Sequence, residues 1–268
     1  VLFALLAGLG FVGGLLSGLL GIGGGIVLVP LLLFVPRLAG FPTLDMRDVA
    51  GITIVQVFAA AALGFVLHRR QRTTNAEAVR WMGGGMVVGA ALGGVASKYV
   101  TLTVLEAAFV ALALAAAPLL FVPPPAEEIG EGPAREFSPG PAFGAALAIG
   151  VLSGLVGVGG AFLLIPVMIY FLGLPTRAAI GSSLGVLMVS ALAGVLGKLT
   201  TGQIILPWAV AVVAGALPGT WVGAGVSRRV PARSLRLALA VLVTVTAARM
   251  LVDLVVTLRS APPEAVGR

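Results

Sequence analysis

Two stretches of this chain, Val1 to Pro36 and Pro141 to Thr176, each run for 36 residues without a charged side chain, and glycine clusters interrupt both near the middle. A straight helix of that length would measure ~54 Å at ~1.5 Å per residue. The hydrocarbon core of a bilayer is only ~30 Å thick. Neither stretch can therefore be one membrane helix, and neither has the polarity of a loop in water. The glycines stand at Gly21-Ile22-Gly23-Gly24-Gly25 and at Gly157-Val158-Gly159-Gly160. They predict that each stretch is two helical pieces joined by irregular backbone.

The rest of the chain agrees with a membrane solvent. Of 268 residues, 59% are hydrophobic and 10% charged, which leaves too little polar material to cover a water-facing surface. No Cys is present and His68 is the single His, which excludes disulfides, thiolate sites and multi-His metal centres, and no cofactor is expected. The net charge of +7 lies mostly between apolar runs, where it orients a membrane protein; a nucleic-acid binder would need a basic reading face. Because the first charge is Arg37, the start lacks the positive region of a signal peptide, and its apolar run is too long for one.

Ordinary spans are predicted at about 49–67, 81–97, 102–122, 179–197, 204–226 and 237–258, with Pro118, Pro207 and Pro218 expected to kink their helices. The organisation is a duplication. Ser17 to Pro30 reads SGLLGIGGGIVLVP and Ser153 to Pro166 reads SGLVGVGGAFLLIP, with 8 identities in 14 at an offset of 136. Further on, an offset of 130 pairs Arg47 with Arg177, Gly51 with Gly181, Gly64 with Gly194, Gly89 with Gly219, Gly93 with Gly223 and Ser97 with Ser227. Residues 1–122 and 142–268 are thus two repeats, joined by a Pro-, Gly- and Glu-rich linker at 123–141 that reads as exposed.

Charge distribution predicts how the repeats lie. Arg69, Arg70, Arg72 and Arg80 follow the first ordinary span of the first half, against Lys198 alone in the second. The next loop reverses this, with Lys98 against Arg228, Arg229, Arg233 and Arg236. Lys and Arg collect on the cytoplasmic side, so equivalent loops fall on opposite faces and the repeats are inverted. Each broken segment then crosses twice or enters and returns, three further helices cross once, and both termini lie outside. The expected fold is an all-α polytopic membrane protein.

Inverted halves with broken helices are a transporter plan, with cargo held near the midplane. A helix starting after Gly24 or Gly160 would aim free N–H groups at its break, which favours an anion. Small residues also permit tight helix crossing, and that reading of the glycines stands beside it. The candidate binding residues are Ser17, Gly21, Gly23, Gly24, Thr53, Gln56, Ser153, Gly157, Gly159, Gly160, Ser182 and Ser183. Hydroxyls and an amide donate to an oxyanion without neutralising it; equally, Ser and Thr bond to their own helices. Arg47 and Arg177 suit either anion steering and gating or interfacial anchoring. Arg249 and Asp253, four apart in the last span, read as an i,i+4 pair or as an ion-coupling site. Trp81, Trp208 and Tyr99 fall at span ends as an aromatic belt, and Glu106 reads as interfacial.

With the duplicated S-G-L-x-G-x-G-G-x-apolar-P motif, the Ile180-Gly181-Ser182-Ser183 stretch and the G-x-x-x-G pairs at Gly89/Gly93 and Gly219/Gly223, nearly the whole chain resembles the sulfite exporter TauE/SafE family. The resemblance implies an inner-membrane permease of two homologous halves that moves small sulfur-containing anions such as sulfite or organosulfonates. The first half departs from it by having Gly51-Ile52-Thr53-Ile54 where the second has Gly181-Ser182-Ser183-Leu184, which makes Ser182 and Ser183 the favoured donors.

The sequence thus predicts a secondary transporter, with the bilayer, a small anion and a coupling ion (proton or sodium) as partners, and no nucleic acid. Another anion, such as a carboxylate, and uptake instead of export are the rivals within transport. An intramembrane enzyme would need a nucleophile and base or a metal set inside the spans, for which one His in a loop and no Cys leave only a Ser/Asp/Arg arrangement. A structural subunit would need only the packing glycines.

Overall fold

The structure is a computed structural model that describes residues 1–69, 75–121, 139–174 and 176–226 and, beyond these, 241, 244–245 and 247–252. Its described residues form helices joined by short turns. The first half holds α1 (Leu2–Leu20), α2 (Gly25–Leu38), α3 (Met46–Arg69), α4 (Ala76–Ala96) and α5 (Leu102–Phe121). The second holds α6 (Pro139–Val156), α7 (Ala161–Pro166) running on as a π-helical turn (Val167–Phe171), α8 (Thr176–Thr200) and α9 (Leu206–Val226). Six of these helices are long and apolar enough to cross a membrane. Their outward faces carry apolar side chains such as Leu92, Leu199, Val210 and Trp221, as lipid contact requires.

Glycine sets which helices touch. A β-carbon on Gly10, Gly14 or Gly18 of α1 would lie 2.0, 2.1 and 2.2 Å from the carbonyl oxygens of Val212, Ala216 and Thr220 of α9. These contacts climb in step, so α1 and α9 run side by side in the same direction, their backbones in contact as small residues allow. Gly85, Gly89 and Gly93 of α4 meet Phe143, Leu147 and Val151 of α6 in the same manner. Each half therefore lends its opening helix to the other half's closing pair.

The contacts repeat at the offsets of the duplication. Gly14 on Ala216 is matched by Gly150 on Met86, and Gly18 on Thr220 by Gly154 on Ala90. Across the centre, Gly64 of α3 faces Leu184 of α8 while Ile54 of α3 faces Gly194, so these two equivalent helices run antiparallel. An exchange of the halves maps the contact pattern onto itself.

The broken segments fold back at their glycines. Gly24 lies against Gly13, and at their far ends Leu2 and Leu6 of α1 line one hollow with Pro36 of α2, which places α2 antiparallel to α1 like the second arm of a hairpin. Gly160 lies against Ile149 in the equivalent way. Among the described residues the expected span boundaries hold to within a few residues, with exceptions that have local causes, and most of the span expected at 237–258 lies outside those residues. Pro207 occupies the first turn of α9, where its missing N–H is one the helix start leaves unbonded anyway, and does not kink it. Lys198, read as a loop charge, lies inside α8, which runs on to Thr200. α6 begins at Pro139, within the stretch read as linker. Asp253 lies outside the described residues, while Arg249 sits 4.7 Å over the Phe34 ring.

Candidate functional site

Both breaks are built from left-handed glycines. Gly21, Gly23 and Gly24 have φ of 71, 77 and 71°, and Gly157, Gly159 and Gly160 have 79, 81 and 70°. Such φ values favour glycine because a side chain there collides with its own backbone. Each entering helix closes with the same bond, Gly21 N–H to the Ser17 carbonyl at 2.8 Å and Gly157 N–H to the Ser153 carbonyl at 2.7 Å. Each returning helix then starts at Gly25 or Ala161 with no side-chain cap, so its first N–H groups have none of the usual capping partners.

The breaks meet each other. A β-carbon on Gly25 would lie 2.6 Å from the Val158 carbonyl oxygen. Gly23 and Gly159 both face the same two side chains, Val57 of α3 and Leu187 of α8, which are themselves equivalent by the 130-residue offset. Both stand near the middle of helices long enough to span a bilayer. Gly21 to Pro30 and Val156 to Phe162 are buried throughout, so the centre is closed to both ends in this conformation.

The polar candidates divide sharply by half. Ser17, Thr53 and Gln56 are fully buried or nearly so. The hydroxyls of Ser17 and Thr53 and both amide atoms of Gln56 have no hydrogen-bond partner. The Gln56 amide nitrogen lies 3.3 Å from where a β-carbon of Gly24 would stand, beside the uncapped start of α2. In the other half, the Ser182 Oγ accepts from the Asn75 N–H at 2.8 Å. Ser183 Oγ shares its proton between the Ile180 carbonyl at 2.9 Å and the Gly21 carbonyl at 3.4 Å. The favoured donors of the sequence analysis are thus the ones that hold neighbouring backbone together. Ser153 is buried against Gly160, its Oγ 3.3 Å from that glycine's β-carbon position.

Buried polar groups without partners are rare and costly. Four unpartnered atoms from two neighbouring helices, α1 and α3, need a ligand or water in some state of the molecule. Hydroxyls and a carboxamide carry no charge of their own, and beside a helix N-terminus they suit a small anion.

The two arginines do not share this centre. Arg47 Nη2 donates to the Val100 carbonyl at 2.8 Å, near one end of the bundle, while its Nε is buried without a partner. The Arg177 side chain lies outside what the structure describes. Sequence reasoning missed one residue, Lys198, which is fully buried. The signal was available, since an ionisable residue within an apolar span is a functional candidate by default.

Duplicated helices of membrane-spanning length that enclose uncapped helix starts near their middle have the plan of a polytopic membrane transporter. The chain matches the sulfite exporter TauE/SafE family over residues 6–250 and belongs to it. It is 25% identical over 251 residues to the probable membrane transporter protein YunE of Bacillus subtilis, covering 87% of this chain and 91% of that protein. It is 24% identical over 249 residues to the probable membrane transporter protein MJ0441 of Methanocaldococcus jannaschii, covering 89% of this chain and 91% of that one. No solved structure matches the chain significantly.

Proposed function

We propose that this protein is a secondary transporter that exports small sulfur-containing anions, such as sulfite or organosulfonates, and binds them between its two glycine breaks. The observation that carries the reading is Gln56, a fully buried carboxamide with both polar atoms unpartnered beside the uncapped start of α2. Ser17 and Thr53 add free hydroxyls from α1 and α3. Gly21, Gly23, Gly24, Gly157, Gly159 and Gly160 let a ligand approach the backbone, and Ser153, Ser182 and Ser183 line or brace the second half of the site. Arg47 and Arg177 steer anions toward it from the two ends.

The halves are inverted in the membrane. Antiparallel α3 and α8 support this, because a two-fold axis along the membrane normal would leave equivalent spanning helices parallel. Arg-rich segments after α3 and α9 then face the cytoplasm of a cell whose inner membrane holds the protein, with both termini outside. The closed centre corresponds to an occluded state, and rocking one half against the other opens it to either side. A proton or sodium gradient, or the anion's own gradient, supplies the drive.

Flux of radiolabelled sulfite from proteoliposomes, with competing anions, tests this. Sulfite efflux suppressed by excess organosulfonate but not by acetate is the expected result. Suppression by carboxylates alone would overturn the cargo, and uptake against a gradient in oriented vesicles would overturn the direction.

A further inference from the structure

At the end of the bundle where α3 begins, a second polar cluster lies apart from the break residues named above. Lys198 of α8 is fully buried and donates to Ser97 Oγ at 2.7 Å and to the Leu155 carbonyl at 3.2 Å. Ser97 Oγ lies 2.7 Å from both the Gly94 carbonyl and Gln203 Oε1, and donates its one proton to them. Gln203 Nε2 donates to the Gly94 carbonyl at 3.1 Å and to Thr201 Oγ1. Every neutral group in the cluster thus has a partner.

The cations do not. An ammonium has three N–H donors, of which Lys198 uses two. The charged group close enough to act on it is another cation, Arg47, whose Nε is also buried without a partner. Among the described residues no carboxylate forms an ion pair with Lys198. A buried lysine with a spare donor and no paired carboxylate, and an arginine whose Nε is buried without a partner, leave two cationic donors unmet, which is unfavourable. What satisfies donor-only, positively charged groups is an acceptor with negative charge. The cluster also touches the transport centre: Leu155 stands two residues before Gly157, and a β-carbon on Gly157 would lie 2.1 Å from the carbonyl of Ala50, three residues after Arg47.

We propose that Lys198 and Arg47 form a second anion site, which receives a small oxyanion between the second glycine break and the membrane face at the start of α3. It rests on the reading that the cargo is a small anion, but uses none of the residues assigned to the central site other than the steering Arg47. An anion leaving the neutral donors at the breaks meets basic N–H donors one step further out, so the pathway holds two binding positions in series.

Equilibrium binding of radiolabelled sulfite to the full chain in detergent tests this, with sulfate as competitor. The wild type binds two anions per chain. Lys198→Met removes one, or weakens it about thirty-fold or more, Lys198→Arg keeps it, and Gln56→Leu removes the other. Where Lys198→Met fails to fold, Arg47→Gln reports on the same site, since Arg47 is only half-buried. Wild-type stoichiometry and affinity in Lys198→Met, or in Arg47→Gln, overturns the proposal and makes Lys198 only a cation at the carbonyl end of α6. Two sites in Gln56→Leu with one in Lys198→Met overturns the central site and leaves this one standing. A wild type that binds no sulfur oxyanion overturns both.

Discussion

The two glycine breaks share a backbone, while the side chains that the two halves bring to them differ. Both have three left-handed glycines, the same closing bond and the same uncapped restart. Yet the first half supplies Thr53 and Gln56, which bond to nothing, where the second has Ser183, which bonds to two carbonyls, and Val186, which is apolar. Duplication preserved what the chain path requires, because a changed glycine there would clash. Side chains that touch only the site were free to diverge, and the polar chemistry collected in one half. The half with unpartnered groups bears the cost of leaving buried polar atoms unbonded.

The largest expected effect comes from the breaks. Gly24, Gly160 and Gly202 all have φ near +70°, so alanine at any of them adds ~1–2 kcal/mol of left-handed strain. They differ in what a β-carbon meets. At Gly24 it lies 2.1 Å from the Gly13 carbonyl oxygen, at Gly160 its nearest neighbour is the Ile149 Cγ2 methyl at 2.8 Å, and at Gly202 nothing is within 4 Å. A methyl on a side chain can move, whereas a carbonyl in a helix cannot. Thermal unfolding in detergent should therefore rank Gly24→Ala as the most destabilised, Gly160→Ala next and Gly202→Ala least. Equal losses at the first two would mean that the breaks are interchangeable.

Much of this scaffold is legible in the sequence. The helices restart at Gly25 and Ala161 because the glycine clusters end there, and the duplication offsets predict that Val57 and Leu187 are equivalent. Two things depend on contacts between distant segments and leave no local trace, and a third is a matter of where a helix ends. Whether Ser182 is occupied depends on the Asn75 N–H, 107 residues away in the chain. The return of α2 along α1 depends on Gly13 accepting Gly24 at its surface. Lys198 sits at the edge of an apolar run, where one further helical turn decides between loop and interior, and helix ends are the least certain feature of any sequence reading.

Gln56→Leu separates function from stability. It removes an unpartnered buried amide and replaces it with an apolar side chain of similar size, so the protein should unfold at the same temperature or higher, a gain of about 1–3 kcal/mol at most. Sulfite flux should fall about a hundred-fold, the loss that accompanies removal of one positioned donor. A variant that unfolds earlier, with flux reduced in proportion to the folded fraction, would show that Gln56 holds the helices together.

Ser182→Ala gives the smallest effect and the opposite pattern. Its hydroxyl oxygen accepts from the backbone N–H of Asn75, whose own side chain caps α4 through the Ala78 N–H at 3.0 Å. Losing that acceptor leaves one donor unsatisfied at a helix start, a cost of about 1 kcal/mol. Unfolding should move down by a few degrees, while flux per folded molecule stays at the wild-type value. Flux lost without a stability change would instead assign Ser182 to the cargo, and would restore the near-symmetric site that the twin backbones suggest.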